Sequence, residues 1–302
     1  MSKNIQRVGV IGLGSMGLGM AKSLAGKGFE VIGFDLSKER LRAISEFGAT
    51  CADNLSDVFS QASFVVFSLP TAKDVEGVVT DNIEILENCA GKRVIVVDTS
   101  TSEPDVSRQL AALLEEMGHG FIDAPVSGGP NGAATGKLTM MIGGSEADIA
   151  MARPVIEAMA SKILHVGPSG AGNVAKLINN LLVASHLITT SEGLKLAAAA
   201  GVSPEAALRV INAATGRSAI SEIHFPTWIM SDRFDSGFSM GLMRKDVRLA
   251  REMADRAGAS LPLTEAVGKI WAASVERLSD KDDFTHMGAI DTSLISTDKK
   301  VA

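Results

Sequence analysis

No tyrosine occurs among the 302 residues, and cysteine and tryptophan occur twice each. Without a phenol, every mechanism that needs a tyrosine acid is excluded, including the Tyr-x-x-x-Lys pair of short-chain dehydrogenases. Cys51 and Cys89 cannot build a disulfide framework or a Cys-rich zinc site, and both are expected to pack as small hydrophobes in a reducing compartment. The five histidines, His119, His165, His186, His224 and His286, show neither metal-ligand spacing nor an Asp–His–Ser arrangement, so no metal is expected. His186 is expected to pack, and Met16, Met20, Met140 and Met141 to fill core space.

Positive charge is in short supply as well. Lys and Arg total 29 against 35 Asp and Glu, a net charge of −6, which argues against a nucleic-acid or anionic-membrane footprint. No run approaches the ~18 apolar residues of a membrane span. The opening Met-Ser-Lys-Asn-Ile-Gln-Arg lacks the apolar stretch of a signal peptide. The expectation is a soluble cytoplasmic protein.

What is present is an ordinary globular composition, 46% hydrophobic and 21% charged. The length suits two domains. Short apolar runs at 8–12, 30–34, 64–68, 94–98 and 120–123 alternate with helical patterns, the first over 15–27. That alternation implies α/β architecture, a Rossmann-type doubly wound parallel sheet covered on both faces. Runs at 138–142 and 163–166 read as two further strands of the same sheet. Beyond Gly172 the texture changes. Residues 173–200, 204–213, 242–257 and 263–278 carry apolar positions at helical spacing, and no strand pattern persists. The expected division is 1–166, the nucleotide domain, and 167–302, an all-helical substrate and dimerisation domain opened by a long helix. The polar stretch 280–302 is expected to be a loose tail.

Gly12-Leu13-Gly14-Ser15-Met16-Gly17 follows the first strand pattern and opens the first helix pattern, the context in which G-x-G-x-x-G signals dinucleotide binding. Gly12 allows the tight turn, Gly14 lets backbone approach a pyrophosphate, and Gly17 lets helix and strand pack closely. Asp35 ends the second strand, where an acid hydrogen-bonds the adenosine ribose and repels a 2′-phosphate. No arginine adjoins it at Leu36-Ser37. NAD is therefore expected over NADP, although Lys38 and Arg40 lie nearby.

Two later segments carry a family resemblance. Asp123-Ala124-Pro125-Val126-Ser127-Gly128-Gly129 follows the 120–123 strand. Gly167-Pro168-Ser169-Gly170-Ala171-Gly172-Asn173-Val174-Ala175-Lys176-Leu177-Ile178-Asn179-Asn180 spans the domain junction. With the N-terminal glycines they resemble the β-hydroxyacid dehydrogenase family, which includes 3-hydroxyisobutyrate dehydrogenase and tartronate semialdehyde reductase. The resemblance runs from Val8 to the end of the helix pattern beginning at Leu263. Gly216-Arg217-Ser218, Phe238-Ser239-Met240 and Lys245-Asp246 look most like the 2-(hydroxymethyl)glutarate dehydrogenase type within that family.

Read physically, Ser127, Gly128 and Gly129 offer a hydroxyl and successive N–H groups, a cradle for a substrate carboxylate. Lys176 and Asn180, at i and i+4, share a helix face. A lysine beside a cofactor cation and shielded by apolar neighbours has its pKa pushed down, which suits it to general acid–base work. The resemblance assigns catalysis and substrate binding to the same two positions. It brings Lys245 to the cofactor and substrate, and Leu69, Pro70 and Thr101 to the cofactor, while Phe238 reads as a pocket wall or a core residue.

The implied activity is interconversion of a small 3-hydroxy acid and its 3-oxo acid or semialdehyde with NAD, by a homodimer or homotetramer. Imine reductases share the architecture but usually lack the lysine. 6-Phosphogluconate dehydrogenase has a much longer chain. The alternative from another class is a catalytically silent NAD-binding regulatory protein, against which the retained Lys176 argues.

Overall fold

The computed structural model describes residues 6–88 and 91–290. The chain divides into two compact units, Met1–Lys176 and Leu177–Ala302.

The first unit is built on β1 (Arg7–Ile11), β2 (Glu30–Phe34), β3 (Thr50–Cys51), β4 (Phe64–Phe67), β5 (Ile95–Asp98), β6 (Gly120–Asp123), β7 (Val126–Ser127), β8 (Leu138–Gly143) and β9 (Ala160–Gly167). Their order is β3-β2-β1-β4-β5-β6-β8-β7, with β9 beside β8. From β3 to β6 every pairing is parallel. β8 turns antiparallel to β6 and β7, and only β9 runs parallel to it. The central strands are buried throughout, as a sheet covered on both faces requires. Val8, Val10, Val66, Val97 and Ile122 point into one core beneath the helices Ser15–Gly26 and Glu146–Met159. Ile11, Val65, Phe67, Val96 and Phe121 point into the other, beneath Leu55–Gln61 and Pro104–Glu116. The chain reverses its winding between β1 and β4, and ligands bind in the crevice outside the carboxyl ends of such strands.

His119 is buried in this unit and its two ring nitrogens are both engaged. Nδ1 accepts the Val94 N–H at 3.1 Å and Nε2 lies 2.9 Å from the Leu86 carbonyl. It ties the residue just before β5 to the short helix Ile83–Glu87.

The helix Ala171–Ala199 contributes its residues through Lys176 to the first unit and the rest to the second. In the second unit Ala184, Leu187, Ile188 and Leu194 meet Leu208, Phe225, Met240, Met243, Val247 and Trp271 in one core. These come from the helices Pro204–Ala213, Met240–Arg256 and Pro262–Ala273 and a π-helix, Ile220–Ile229. The buried Trp271 indole donates to the Ala184 carbonyl at 3.3 Å.

Several expectations are corrected. Cys51 is exposed on the two-residue β3, its thiol donating to the Leu41 carbonyl at 3.0 Å; β3 stands at the edge of the sheet and both its residues are exposed. Cys89 lies outside the described residues. His186 faces solvent rather than packing, because its position on the long helix falls off the apolar stripe. Met20 and Met140 are fully buried, Met16 and Met141 only partly. The helix expected over 263–278 ends at Ala273 and tightens to a 3₁₀ turn at Ser274–Glu276. The stretch from Asp280 to Ile290 is no loose tail: a 3₁₀ turn, Phe284–Gly288, buries Phe284 and Met287. Asp283 there accepts from Ser236 Oγ and the Gly237 N–H, and Arg244 reaches Asp280 Oδ1 at 2.6 Å and the Leu278 carbonyl at 2.7 Å. Residues 291–302 lie outside the described chain.

Candidate active site

The turn after β1 shows why each glycine is needed. Gly12 has φ 86°, and a Cβ there would lie 2.3 Å from the Ser68 carbonyl oxygen, so only glycine closes the turn. A Cβ on Gly17 would lie 1.8 Å from the Gly12 carbonyl oxygen, which holds the helix Ser15–Gly26 against the strand. Gly14 differs, since a Cβ there would meet nothing within 4 Å. Its small size is not spent on protein packing, and the open space fits close approach by a ligand. Gly14 also caps the helix without a side-chain bond, leaving N–H groups of the first turn to face an anion. Ser15 is exposed, Met16 half-buried and Leu13 buried.

Asp35 lies just beyond the end of β2 and is held firmly. Oδ2 accepts the Leu13 N–H at 2.7 Å, and Oδ1 accepts the Ser37 N–H at 2.8 Å. The carboxylate thereby ties the glycine turn to the end of β2. Arg40 Nη1 stands 3.4 Å from Oδ2, a loose and half-exposed pair. Leu36, at 93% exposure, is an apolar side chain on the rim.

The loops after β4 and β5 are tied together at the same edge of the sheet. The Leu69 N–H donates to Ser100 Oγ at 2.9 Å, and Thr99 Oγ1 donates to the Phe67 carbonyl at 2.6 Å. Leu69, Pro70 and Thr101 therefore sit on braced turns. Ser127 closes β7, followed by Gly128 and Gly129 at φ 127° and 64°, conformations that favour glycine. A short helix, Gly129–Thr135, follows at once. It packs on the helix Ser15–Gly26, where a Cβ on Gly19 would lie 2.8 Å from Ala133 Cβ.

Lys176 and Asn180 stand one turn apart on one helix, and both are buried. In the second unit Asn180 Nδ2 donates to Asp246 Oδ2 at 2.6 Å, while Asn179 Nδ2 donates to Asn180 Oδ1 at 3.0 Å. The amide orientation of Asn180 is thus fixed by its neighbours. Lys245 Nζ lies 3.4 Å from Asp246 Oδ1. In the sequence Asp246 stands beside Lys245 with no role of its own; in the fold it is the buried acid that orients the asparagine. Phe238 is half-buried and edge-on to Phe284 at 5.7 Å, so it belongs to the helical core. His224 stacks edge-on with Trp228 and Phe284, and its burial pulls the imidazole pKa down. No group of three or more metal-binding side chains occurs among the described residues.

A doubly wound sheet, an open glycine turn and a pinned acid beyond the second strand define a dinucleotide-binding domain. Comparison with known proteins carries this further. Residues 7–167 match the family model described as the NAD binding domain of 6-phosphogluconate dehydrogenase. Residues 170–290 match that described as NAD-binding of NADP-dependent 3-hydroxyisobutyrate dehydrogenase. The chain is 37% identical to 2-(hydroxymethyl)glutarate dehydrogenase of Eubacterium barkeri, over 90% of this chain and 89% of that one. It is 35% identical to the NAD-dependent L-serine dehydrogenase of Pseudomonas aeruginosa, over 86% and 89% of the two chains. Among solved structures, 3-hydroxyisobutyrate dehydrogenase of Mycobacterium tuberculosis with L-serine superposes with a TM-score of 0.87. It is 34% identical, over 94% of this chain and 98% of that one. An imine reductase of Streptomyces aurantiacus, 19% identical over 93% and 98% of the chains with a TM-score of 0.63, shares the fold alone.

The chain belongs to the 3-hydroxyisobutyrate dehydrogenase-like family of β-hydroxyacid dehydrogenases, and its first unit is an NAD-binding domain.

Proposed function

We propose that the protein oxidises a small 3-hydroxy carboxylic acid to its 3-oxo acid or semialdehyde, and runs the reverse reduction, with Lys176 as the general base and acid. The observation that carries this reading is the buried Lys176 on the same helix face as a hydrogen-bonded Asn180, in a chain of this family. NAD, when bound, supplies the hydride acceptor. Lys176 takes the hydroxyl proton as the carbinol hydride leaves, and returns a proton to the carbonyl oxygen in reduction. Asn180, oriented by Asp246, hydrogen-bonds the same substrate oxygen. Ser127, Gly128 and Gly129 hold the substrate carboxylate, and Lys245 adds a cation toward substrate and cofactor. Gly12, Leu13, Gly14, Ser15, Met16 and Gly17 would hold the pyrophosphate and Asp35 the ribose, and Leu69, Pro70 and Thr101 would also touch the cofactor.

Relatives named for L-serine, 3-hydroxyisobutyrate and 2-(hydroxymethyl)glutarate define the substrates to try first. Arg217 is exposed and has no side-chain partner among the described residues, which suits it to the second carboxylate of a diacid. The reading extends to a cytoplasmic homodimer or homotetramer. No described helix is long and apolar enough to cross a membrane. Several relatives are named as mitochondrial, so cell fractionation is the check on compartment. Light scattering giving a monomer mass would contradict the oligomer.

The deciding assay follows NADH absorbance over a panel of 3-hydroxy acids with wild type and Lys176→Ala. Replacement should lower kcat by about 10²–10⁴ while NAD binding persists. Near-normal turnover by the variant would refute the assignment.

A further inference from the structure

Two buried side chains of the first unit take no part in the chemistry above. Asp123, just inside the end of β6, has no solvent exposure; Oδ1 accepts the Gly170 N–H at 2.7 Å and Oδ2 the Asn173 N–H at 2.9 Å. Asn173, equally buried, extends the connection. Its Oδ1 accepts the Ser102 N–H at 3.0 Å, and its Nδ2 donates to Ser107 Oγ at 3.1 Å. One carboxylate and one amide thus join the end of β6, the first turn of the helix Ala171–Ala199 and the turn that carries Thr101.

The packing around them leaves no slack. A Cβ on Gly172 would lie 2.4 Å from the Met141 carbonyl oxygen and 2.6 Å from that of Asp123. A Cβ on Gly143 would lie 2.5 Å from Asp123 Oδ1. Both positions have room only for glycine beside the Asp123 carboxylate and backbone. An anion facing N–H groups of a helix's first turn is further stabilised by the helix dipole. Lys176 follows Asn173 by three residues, within one turn of the same helix.

We propose that Asp123 and Asn173 are positioning residues that clip the helical turn bearing Lys176 to the Thr101 turn, and so set the alignment for proton and hydride transfer. The inference rests on Lys176 being the acid–base group. Burial raises the Asp123 carboxyl pKa to about 6 against the pull of its N–H donors, so at neutral pH it is ionised, as acceptance of two N–H bonds requires. Misplacement of reacting groups by ~1 Å can cost on the order of 10²-fold in rate, which is the scale of effect a broken clip would have.

The test compares full-length wild type, Asn173→Ala, Asp123→Asn and Lys176→Ala with the 3-hydroxy acid of highest kcat/KM, protonated or deuterated at the carbinol carbon. Asn173→Ala removes two hydrogen bonds without adding volume, so it carries the test whether or not Asp123→Asn folds. Expected for Asn173→Ala is a kcat lowered by about 10–100-fold, NADH affinity within ~3-fold of wild type, and a larger deuterium isotope effect on kcat as hydride transfer becomes limiting. A lowered melting temperature with kcat and isotope effect unchanged would overturn the positioning role, because a merely structural contact moves only the former. Failure of the underlying reading is distinguishable: it would show as turnover surviving in Lys176→Ala, whatever Asn173→Ala does.

Discussion

At the scale of single residues, Asp123 makes a pH dependence that can be given a sign. Its pKa stands at about 6 when folded against 3.8 for a free side chain, chiefly through desolvation. The native state therefore binds the extra proton, and stability contributed at this site rises as pH falls through 6 and levels off near 4. Between pH 7 and pH 5 wild type should gain about 1 kcal/mol relative to Asp123→Asn, read from urea unfolding at both values. A gain on going to higher pH would show that the N–H donors outweigh burial. Asp35 offers a second test at this scale. Its two bonds to Leu13 and Ser37 N–H groups hold a negative charge where a 2′-phosphate would come, with Arg40 close by. Asp35→Ser should cost NAD affinity and improve NADP, the ratio of kcat/KM values shifting toward NADP by on the order of 10-fold, about 1.4 kcal/mol.

At the scale of elements, the glycines of the N-terminal motif differ in what surrounds them. The motif Gly12-x-Gly14-x-x-Gly17 was legible because its context is local, a strand before and a helix after. The structure divides its members by what a side chain would strike. Gly17→Ala drives a methyl into the Gly12 carbonyl and should lower stability by about 1–3 kcal/mol, seen as a shifted melting temperature. Gly14→Ala meets open space and sits in backbone geometry that alanine adopts, so it should melt like wild type yet bind NADH weakly. Equal melting losses in both would show that Gly14 serves packing. The short helix Gly129–Thr135 was not legible. Its glycine-rich sequence has weak helix propensity, and its support comes from Gly19 and Ala133 meeting across a distant helix. The π-helix Ile220–Ile229 escaped for another reason: it carries Pro226 inside and has no apolar repeat of its own.

Across the whole molecule, the alternating strand and helix patterns gave the sheet and its neighbours, since both depend on short-range periodicity. They could not show that β8 reverses direction, because direction is fixed by partners rather than by pattern. The candidate site divides the same way. Lys176, Asn180 and Ser127, on which the proposed reading rests, stand in compact motifs. Asp246 reaches Asn180 across 66 positions of sequence, and Asp123 reaches Asn173 across 50. A single sequence carries no sign of such pairings. The polar composition of 280–290 likewise concealed two buried anchors, Phe284 and Met287.

Residues 280–290 also bear on motion. Ser191 Oγ donates to the Gly288 carbonyl at 2.8 Å, Lys195 Nζ to that of Ile290 at 2.8 Å, and the Met240 N–H to that of Asp282 at 2.8 Å. A segment stitched at so many points to two helices opens only when they do. Its amide protons should exchange with solvent at the slow pace of the helical core, as one cooperative unit with the 3₁₀ turn at Phe284–Gly288, and fast independent exchange there would mean the stitches open one by one.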